Sequence, residues 1–352
     1  MSPVRAAVLS APRRIEVTSL APGPLPPGGA WVDIEACGLC GSDWSWYADR
    51  PIAAPLVPGH EIVGRVAEVW GDRPAGAPSV GDRVALEERV PCRMCALCLA
   101  GRHRLCPAST RYGATGLDTP PALWGGFAER VYLAPAANTH LVPSTVAAEL
   151  AVLFIPLSNG LSWVSSAAGL RPGESVVVLG VGQHGLATVA AARRCGAGTV
   201  IAAGRAGDEM RLLAAEALGA DIGVDSGKLA AVMPPGGADV VVDTTPGPSR
   251  TLAQAAGLAA LGGRVVLAGL KAGEPSQVST DVLVRREITV RGVAARESWA
   301  IGAALRWLEE EPGLFAAFGS LCFGLGQVER ALLTIGGEVA GPRPVHAVIT
   351  TG

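Results

Sequence analysis

The chain has 352 residues, room for two domains of ordinary size, and its 49% hydrophobic against 17% charged residues exclude a largely disordered protein. A net charge of −2, from 29 basic and 31 acidic residues, gives no overall attraction to nucleic acid or an anionic membrane surface, so the expected partner is a small molecule. The first nine residues carry no long apolar stretch, and no run of 18 uninterrupted apolar residues follows, so a soluble cytoplasmic protein with no membrane partner is expected. Eight cysteines are too few to staple so long a chain, yet six fall between Cys37 and Cys106, a clustering that suggests metal.

In chain order, the first 150 residues show short β-like segments, at 31–36, 62–69 and 83–86, separated by Pro/Gly-rich turns. They predict an irregular, mainly antiparallel β domain. From about Ser175 the pattern changes to apolar runs at 175–179, 199–203, 222–224, 238–243, 264–268 and 287–291. Stretches of helical length at 186–195, 208–218 and 249–261 lie between them, each followed by glycine. This wiring predicts an α/β unit, a doubly wound parallel sheet of the Rossmann type. Helical segments at 299–310 and 327–333 and a strand-like run at 346–350 follow, and could complete the first domain.

Gly180-Val-Gly182-Gln183-His184-Gly185 directly follows an apolar strand and opens a helix, the context in which this glycine pattern means dinucleotide binding. Gly180 permits the tight turn, Gly182 lets the backbone approach the pyrophosphate, and Gly185 allows close helix–strand packing, with the phosphates at the helix N-terminus. The end of the second strand carries Gly204 and Arg205 where NAD-binding chains place a carboxylate for the ribose 2′-hydroxyl. Glycine makes space and arginine offers a bidentate phosphate donor, so NADP is expected over NAD. The competing reading has Arg205 in solvent and Asp208 on the ribose.

Cys92, Cys95, Cys98 and Cys106 are spaced so that one loop can wrap four thiolates round a tetrahedral ion, a structural zinc site in a lobe spanning 90–107. Two disulfides or an iron–sulfur cluster are the alternatives. Cys37, Cys40, Ser42 and Asp43, with His60 and Glu61 about twenty residues on, supply the thiolate, imidazole and carboxylate a catalytic zinc uses. In that arrangement Asp43 would fix the ligand tautomer of His60, and Ser42 would move a proton to or from the substrate oxygen.

The chain resembles the zinc-dependent medium-chain dehydrogenase/reductases of the alcohol, polyol and threonine dehydrogenase type over essentially its whole length. The matching motifs are Cys40-Gly-Ser-Asp, Gly59-His-Glu, Gly81-Asp-Arg-Val, the four-cysteine lobe, Gly125-Gly-Phe-Ala-Glu, Gly180-Val-Gly-Gln-His-Gly and Gly262-Gly-Arg-Val-Val. The resemblance implies a discontinuous GroES-like catalytic domain, 1–152 and 297–352, interrupted by a Rossmann coenzyme domain, 153–296. It implies hydride transfer at a zinc-bound alcohol or carbonyl, and a homodimer or homotetramer. It places the catalytic zinc on Cys40 and His60 with Glu61 as the adjacent carboxylate, excludes Cys37 as a ligand, and sets Asn159 beside the nicotinamide ring.

Two departures stand out. Ile155 occupies the position where the family usually supplies a further Cys, Glu or Asp ligand, and an aliphatic side chain cannot coordinate zinc. Ser45 replaces the histidine that ends the family's proton relay. By family position Trp44, Trp46 and Tyr47 border the substrate cleft, which suggests a bulky or apolar substrate. An NADP(H)-dependent alcohol dehydrogenase or carbonyl reductase is the leading expectation. A zinc-independent reductase of a C=C or C=N bond is the alternative, and a non-catalytic NADP-binding protein the third.

Overall fold

A computed structural model describes residues 2–247, 251–341 and 343–351. The chain divides into two compact units, Met1–Phe154 with Leu305–Pro312 and Gly319–Gly352, and Ile155–Ala304 with Gly313–Phe318. The second division falls at 304/305 instead of 296/297 because it lies inside one continuous helix, Ser298–Glu310.

The first unit opens with a hairpin, β1 (Val4–Ala11) and β2 (Arg14–Leu20), that the periodicity of the sequence did not announce. Its main sheet is built from β3 (Ala30–Leu39), β4 (Glu61–Val69) and β5 (Arg83–Leu86), the three segments foreseen, each longer than or equal to its expected span. Between β3 and β4 a helix absent from the sequence reading, α1 (Gly41–Ala48), forms because Cys40 and Asp43 close a capping box at its N-terminus. The short β6 (Arg89–Val90) and α2 (Ala96–Leu99) lead through the cysteine lobe to β7 (Thr110–Arg111). β8 (Arg130–Leu133) and β9 (Thr139–Leu141) then return to the sheet.

A helical run follows, α3 (Ala148–Ala151), α4 (Phe154–Ser162) and a π-helical turn, Trp163–Ala167. The segment Ala148–Ala167 is long and apolar enough to cross a membrane by length and composition, but most of it is buried inside the fold, so its apolar surface goes into packing. The second unit then alternates β10 (Ser175–Leu179), α5 (Gln183–Arg194), β11 (Thr199–Gly204), α6 (Glu209–Ala217), β12 (Ile222–Asp225), β13 (Ala238–Asp243), α7 (Thr251–Leu258), β14 (Ala259–Leu267), α8 (Thr280–Arg285) and β15 (Thr289–Gly292). All six strands are parallel, in the order β12-β11-β10-β13-β14-β15, the doubly wound arrangement. The valines of β10 and β13 are buried on both faces, as the continuous apolar runs require.

Two boundaries differ from expectation. The helix expected to reach 261 ends at Leu258, and the strand expected to start at 264 begins at Ala259. There Ala259 already pairs with Ala238, and Gly262, at φ +71°, takes up the register shift before the regular ladder. The start of that expected helix, at 249–250, lies outside the described residues. The last strand begins at Thr289 instead of 287 because Glu287 sits in the left-handed region, at φ +51°.

α9 (Ser298–Glu310) follows, then β16 (Leu321–Gly324), α10 (Val328–Gly336) and β17 (Ala347–Thr350). α10 buries Val328, Ala331, Leu332 and Ile335, one face at helical spacing, and ends at Gly337 in the left-handed region. The sheet of the first unit runs β16-β17-β3-β4-β5-β9, with β8 also on β3, so the tail strands complete it.

Candidate active site

In the first unit, Cys40 stands at the end of β3 as the N-cap of α1, and His60 and Glu61 stand at the start of β4, which pairs with β3. One donor atom each from Cys40, His60 and Glu61 lies within 4.8 Å of the others. The link between the two loops is Asp43, 1% exposed. Its Oδ2 accepts the backbone N–H of Cys40 at 2.9 Å, and its Oδ1 accepts that of Gly59 at 3.3 Å and lies 3.4 Å from His60 Nδ1. With Nδ1 engaged, Nε2 is the imidazole atom left for a metal. Burial disfavours the charged ring, but the charge and hydrogen bond of Asp43, with the Cys40 side chain, outweigh it and hold the His60 pKa well above 6.5. A metal ion binding here must displace that proton.

Gly59 brings the histidine into place. It adopts φ +90°, and a Cβ there would lie 2.6 Å from Phe127 Cδ1 and 2.9 Å from Cys37 Sγ. Cys37 is fully buried against this turn, and burial, then Asp43 and Glu61, push its thiol pKa well above the ordinary value. Cys37 is therefore a core thiol. Ser42, two residues past Cys40, is exposed, as is Ser45.

The aromatic residues after Cys40 do not act as a group. Tyr47 is buried and donates its hydroxyl to Glu329 Oε1 at 2.7 Å, and Trp44 lies against Gly336, so both lock α1 onto α10. Only Trp46, under the guanidinium of Arg50 at 4.2 Å, is outside that contact. The three rings thus lose most of their weight as evidence for a bulky substrate, because packing accounts for two of them.

The four thiols of the lobe have their Sγ atoms within 4.8 Å of one another, with Cys92–Cys98 at 4.0 Å and Cys95–Cys106 at 3.9 Å. Thiolates about 2.3 Å from a tetrahedral zinc ion lie about 3.8 Å apart, so the set fits one ion, and no pair is bonded as a disulfide. The backbone N–H groups of Met94 and Cys95 pull the Cys92 pKa down to about 6, whereas desolvation and the neighbouring thiols push Cys98 up to about 12. The Cys92 thiolate forms readily, whereas Cys98 needs a cation to give up its proton. Cys98→Ser is expected to cost one zinc ion per chain and at least about 5 °C in Tm, read by metal analysis and calorimetry.

In the second unit, Gly180 turns at φ +98° with Thr244 Oγ1 beside it, and Gly185 packs directly on the Gly180 carbonyl. Gly182 is the N-cap of α5, and among the described residues beyond its own chain neighbours and helix backbone no atom lies within 4 Å of where its Cβ would be, so backbone N–H groups at the helix N-terminus are open to an anion. Gln183 is buried, and His184 stacks on Trp163 at 5.6 Å. Asn159 is 5% exposed on α4, and its Oδ1 has no hydrogen-bond partner among the described residues. Ile155 is a buried residue of the same helix.

At the end of β11 the expected space beside Gly204 is already taken. A Cβ there would meet Val181 Cγ2 at 2.8 Å, Asp208 Cβ at 3.1 Å and Leu212 Cδ2 at 3.2 Å, so this glycine serves packing. Arg205 is exposed, and its backbone N–H donates to Asp208 Oδ2 at 2.9 Å. The sequence reading missed the network at the end of β13. Fully buried Asp243 pairs with Lys271 Nζ at 2.9 Å and accepts hydroxyls from Thr245 and Thr251. A buried acid ending a strand of the apolar run, and a lysine where arginine is the rule, were the available signals.

A model of the alcohol dehydrogenase GroES-like domain matches residues 26–144, and one of the zinc-binding dehydrogenase matches residues 184–310. The "Probable alcohol dehydrogenase adh" of Mycobacterium tuberculosis is 39% identical, covering 99% of this chain and 98% of its own. The alcohol dehydrogenase of Thermotoga maritima shares the fold, with a TM-score of 0.89 at 23% identity over 99% of this chain and 100% of its own. A chain from Sinorhizobium meliloti 1021 assigned as a zinc-binding dehydrogenase, solved with NADP bound, has a TM-score of 0.85 at 28% identity over 99% and 100% of the two chains. Carrying both domain signatures and a curated relative along its full length, the chain belongs to the zinc-dependent medium-chain dehydrogenase/reductases and is an alcohol dehydrogenase-like oxidoreductase.

Proposed function

We propose that this protein is an NADP(H)-dependent alcohol dehydrogenase or carbonyl reductase in which Cys40, His60 and Glu61 hold a catalytic zinc ion. The convergence of a thiol, an imidazole and a carboxylate within 4.8 Å carries the reading. When bound, the ion supplies a Lewis acid for an alcohol or carbonyl oxygen, and the nicotinamide supplies or accepts a hydride. Asp43 ties both ligand loops to one geometry through Cys40 N–H, Gly59 N–H and His60 Nδ1. The exposed hydroxyl of Ser42 moves the proton to or from the substrate oxygen, and water completes the relay because Ser45 is no base near neutral pH. The Oδ1 of Asn159, without a hydrogen-bond partner among the described residues, would orient the nicotinamide ring or contact the substrate. A cytoplasmic homodimer or homotetramer acting on a small molecule belongs to the same reading.

Metal analysis of protein purified without chelator, with a panel of alcohols, ketones, enones and imines, tests it. About two zinc ions per chain and carbonyl turnover are expected. The buried aliphatic Ile155 favours a second reading, reduction of a C=C or C=N bond without catalytic zinc. One zinc ion, unaffected by Cys40→Ala, with enone or imine turnover would establish that reading instead. NADPH binding without turnover on any member would leave a non-catalytic binding protein.

For the coenzyme, Arg205 on the exposed end of β11 supports NADP. Arg205→Ala is expected to raise the KM for NADPH by about 10- to 100-fold, the loss of a charge-assisted phosphate contact, and to leave that for NADH unchanged. No effect on either coenzyme would leave Arg205 in solvent and assign the ribose to Asp208.

A further inference from the structure

The first unit contains a buried imidazole that the chemistry above does not use. His346, immediately before β17, is fully buried, as is Glu61, and its Nε2 lies 3.8 Å from Glu61 Oε2. Its Nδ1 is 2.8 Å from Ser320 Oγ, whereas Nε2 has no hydrogen-bond partner among the described residues. The strands dictate this meeting. β3 pairs with both β4 and β17, and Gly38 on β3 faces Glu61 on one side and Val348 on the other. A Cβ at Gly38 would lie 3.1 Å from His346 Nε2 and collide with the Glu61 carboxylate, so the glycine opens the space in which the pair meets. The backbone N–H of Leu321 donates to the His346 carbonyl at 3.1 Å, which holds Ser320 beside the ring.

We propose that Ser320 and His346 are positioning residues that present Glu61 as a metal ligand. The inference rests on the proposed assignment of Glu61 to the catalytic ion. With Ser320 Oγ at Nδ1, Nε2 is the ring nitrogen that faces Glu61 and can donate to its carboxylate. The gap exceeds a hydrogen bond by under about 1 Å, within reach of the broad terminal torsion of a glutamate. One carboxylate oxygen then receives Nε2–H, and the other is held toward Cys40 and His60. Unlike a carboxylate that swings freely, one held in this way has its metal-binding orientation already set.

The test is metal retention in the full chain carrying two ions, with cobalt(II) in place of zinc as a visible-absorption probe. His346→Leu is expected to lose the second ion about 10- to 100-fold faster to a chelator and to shift the cobalt absorption, with the lobe ion retained. His346→Gln, which restores an N–H donor near Nε2, should stay near wild type. Ser320→Ala should fall between them, and carries the test should the leucine variant not fold. Wild-type retention and an unchanged spectrum in His346→Leu, or in Ser320→Ala when that variant carries the test, overturn the inference. A wild-type chain that itself holds a single ion overturns the underlying assignment of Glu61 as well, and is seen before any variant is made.

Discussion

Cys40→Ala is expected to lower kcat/KM for carbonyl reduction by at least about 10³-fold, some 4 kcal/mol of transition-state stabilisation, and to remove one of two zinc ions per chain. The thiol is one of three converging donors, and a remaining imidazole and carboxylate are too few to hold zinc. The substitution spares the local fold. Alanine gives up the thiol's half of the α1 capping box but keeps the half in which the Cys40 backbone N–H reaches Asp43, and the Cys40 side chain is only partly buried. The loss should therefore fall on kcat and on metal content, with the unfolding midpoint and NADPH affinity near wild type. Steady-state kinetics with metal analysis of the same preparation checks this, and retained turnover would mean that the reacting oxygen, if there is one, is polarised elsewhere.

How much of this was legible beforehand depended on the range of the interactions. The parallel sheet was readable because strands buried on both faces leave continuous apolar runs, as in Ser175–Leu179 and Ala238–Asp243. The four-thiol lobe and the Cys40/His60 pair were readable because metal ligands must be particular residue types close in the chain. α1 was not, since its start depends on a cap formed by cysteine and aspartate instead of a hydrophobic period. The Glu61–His346 contact was not either: it joins residues 285 positions apart through strand pairing, and a lone histidine before a strand carries no signal. Gly204 shows the opposite error. A glycine suggested open space, but Val181 and Leu212 fill the direction its Cβ would take, a fact of packing that no local sequence pattern contains.

Gly182→Val should raise the dissociation constant for NADPH by at least about 100-fold, near 3 kcal/mol, while costing the coenzyme-free chain only about 1 kcal/mol, the difference between glycine and valine at a helix N-cap. The two halves of this expectation come from the same place in the fold. Gly182 sits at φ −77° and ψ −176°, extended backbone open to any residue, and its Cβ would meet none of the described residues beyond its own neighbours and helix within 4 Å. A β-carbon at this position therefore costs the protein neither backbone strain nor a clash with the described residues. What it fills is the approach to the first backbone N–H groups of α5, which need an unobstructed path to a pyrophosphate. Gly185 is the control. A Cβ there collides with the Gly180 carbonyl, so Gly185→Ala should lower the unfolding midpoint before any coenzyme is added. Fluorescence titration with NADPH beside thermal unfolding of both variants separates the cases. NADPH affinity unchanged by Gly182→Val would place the phosphates elsewhere, and the glycine turn would then serve only to pack α5 against β10.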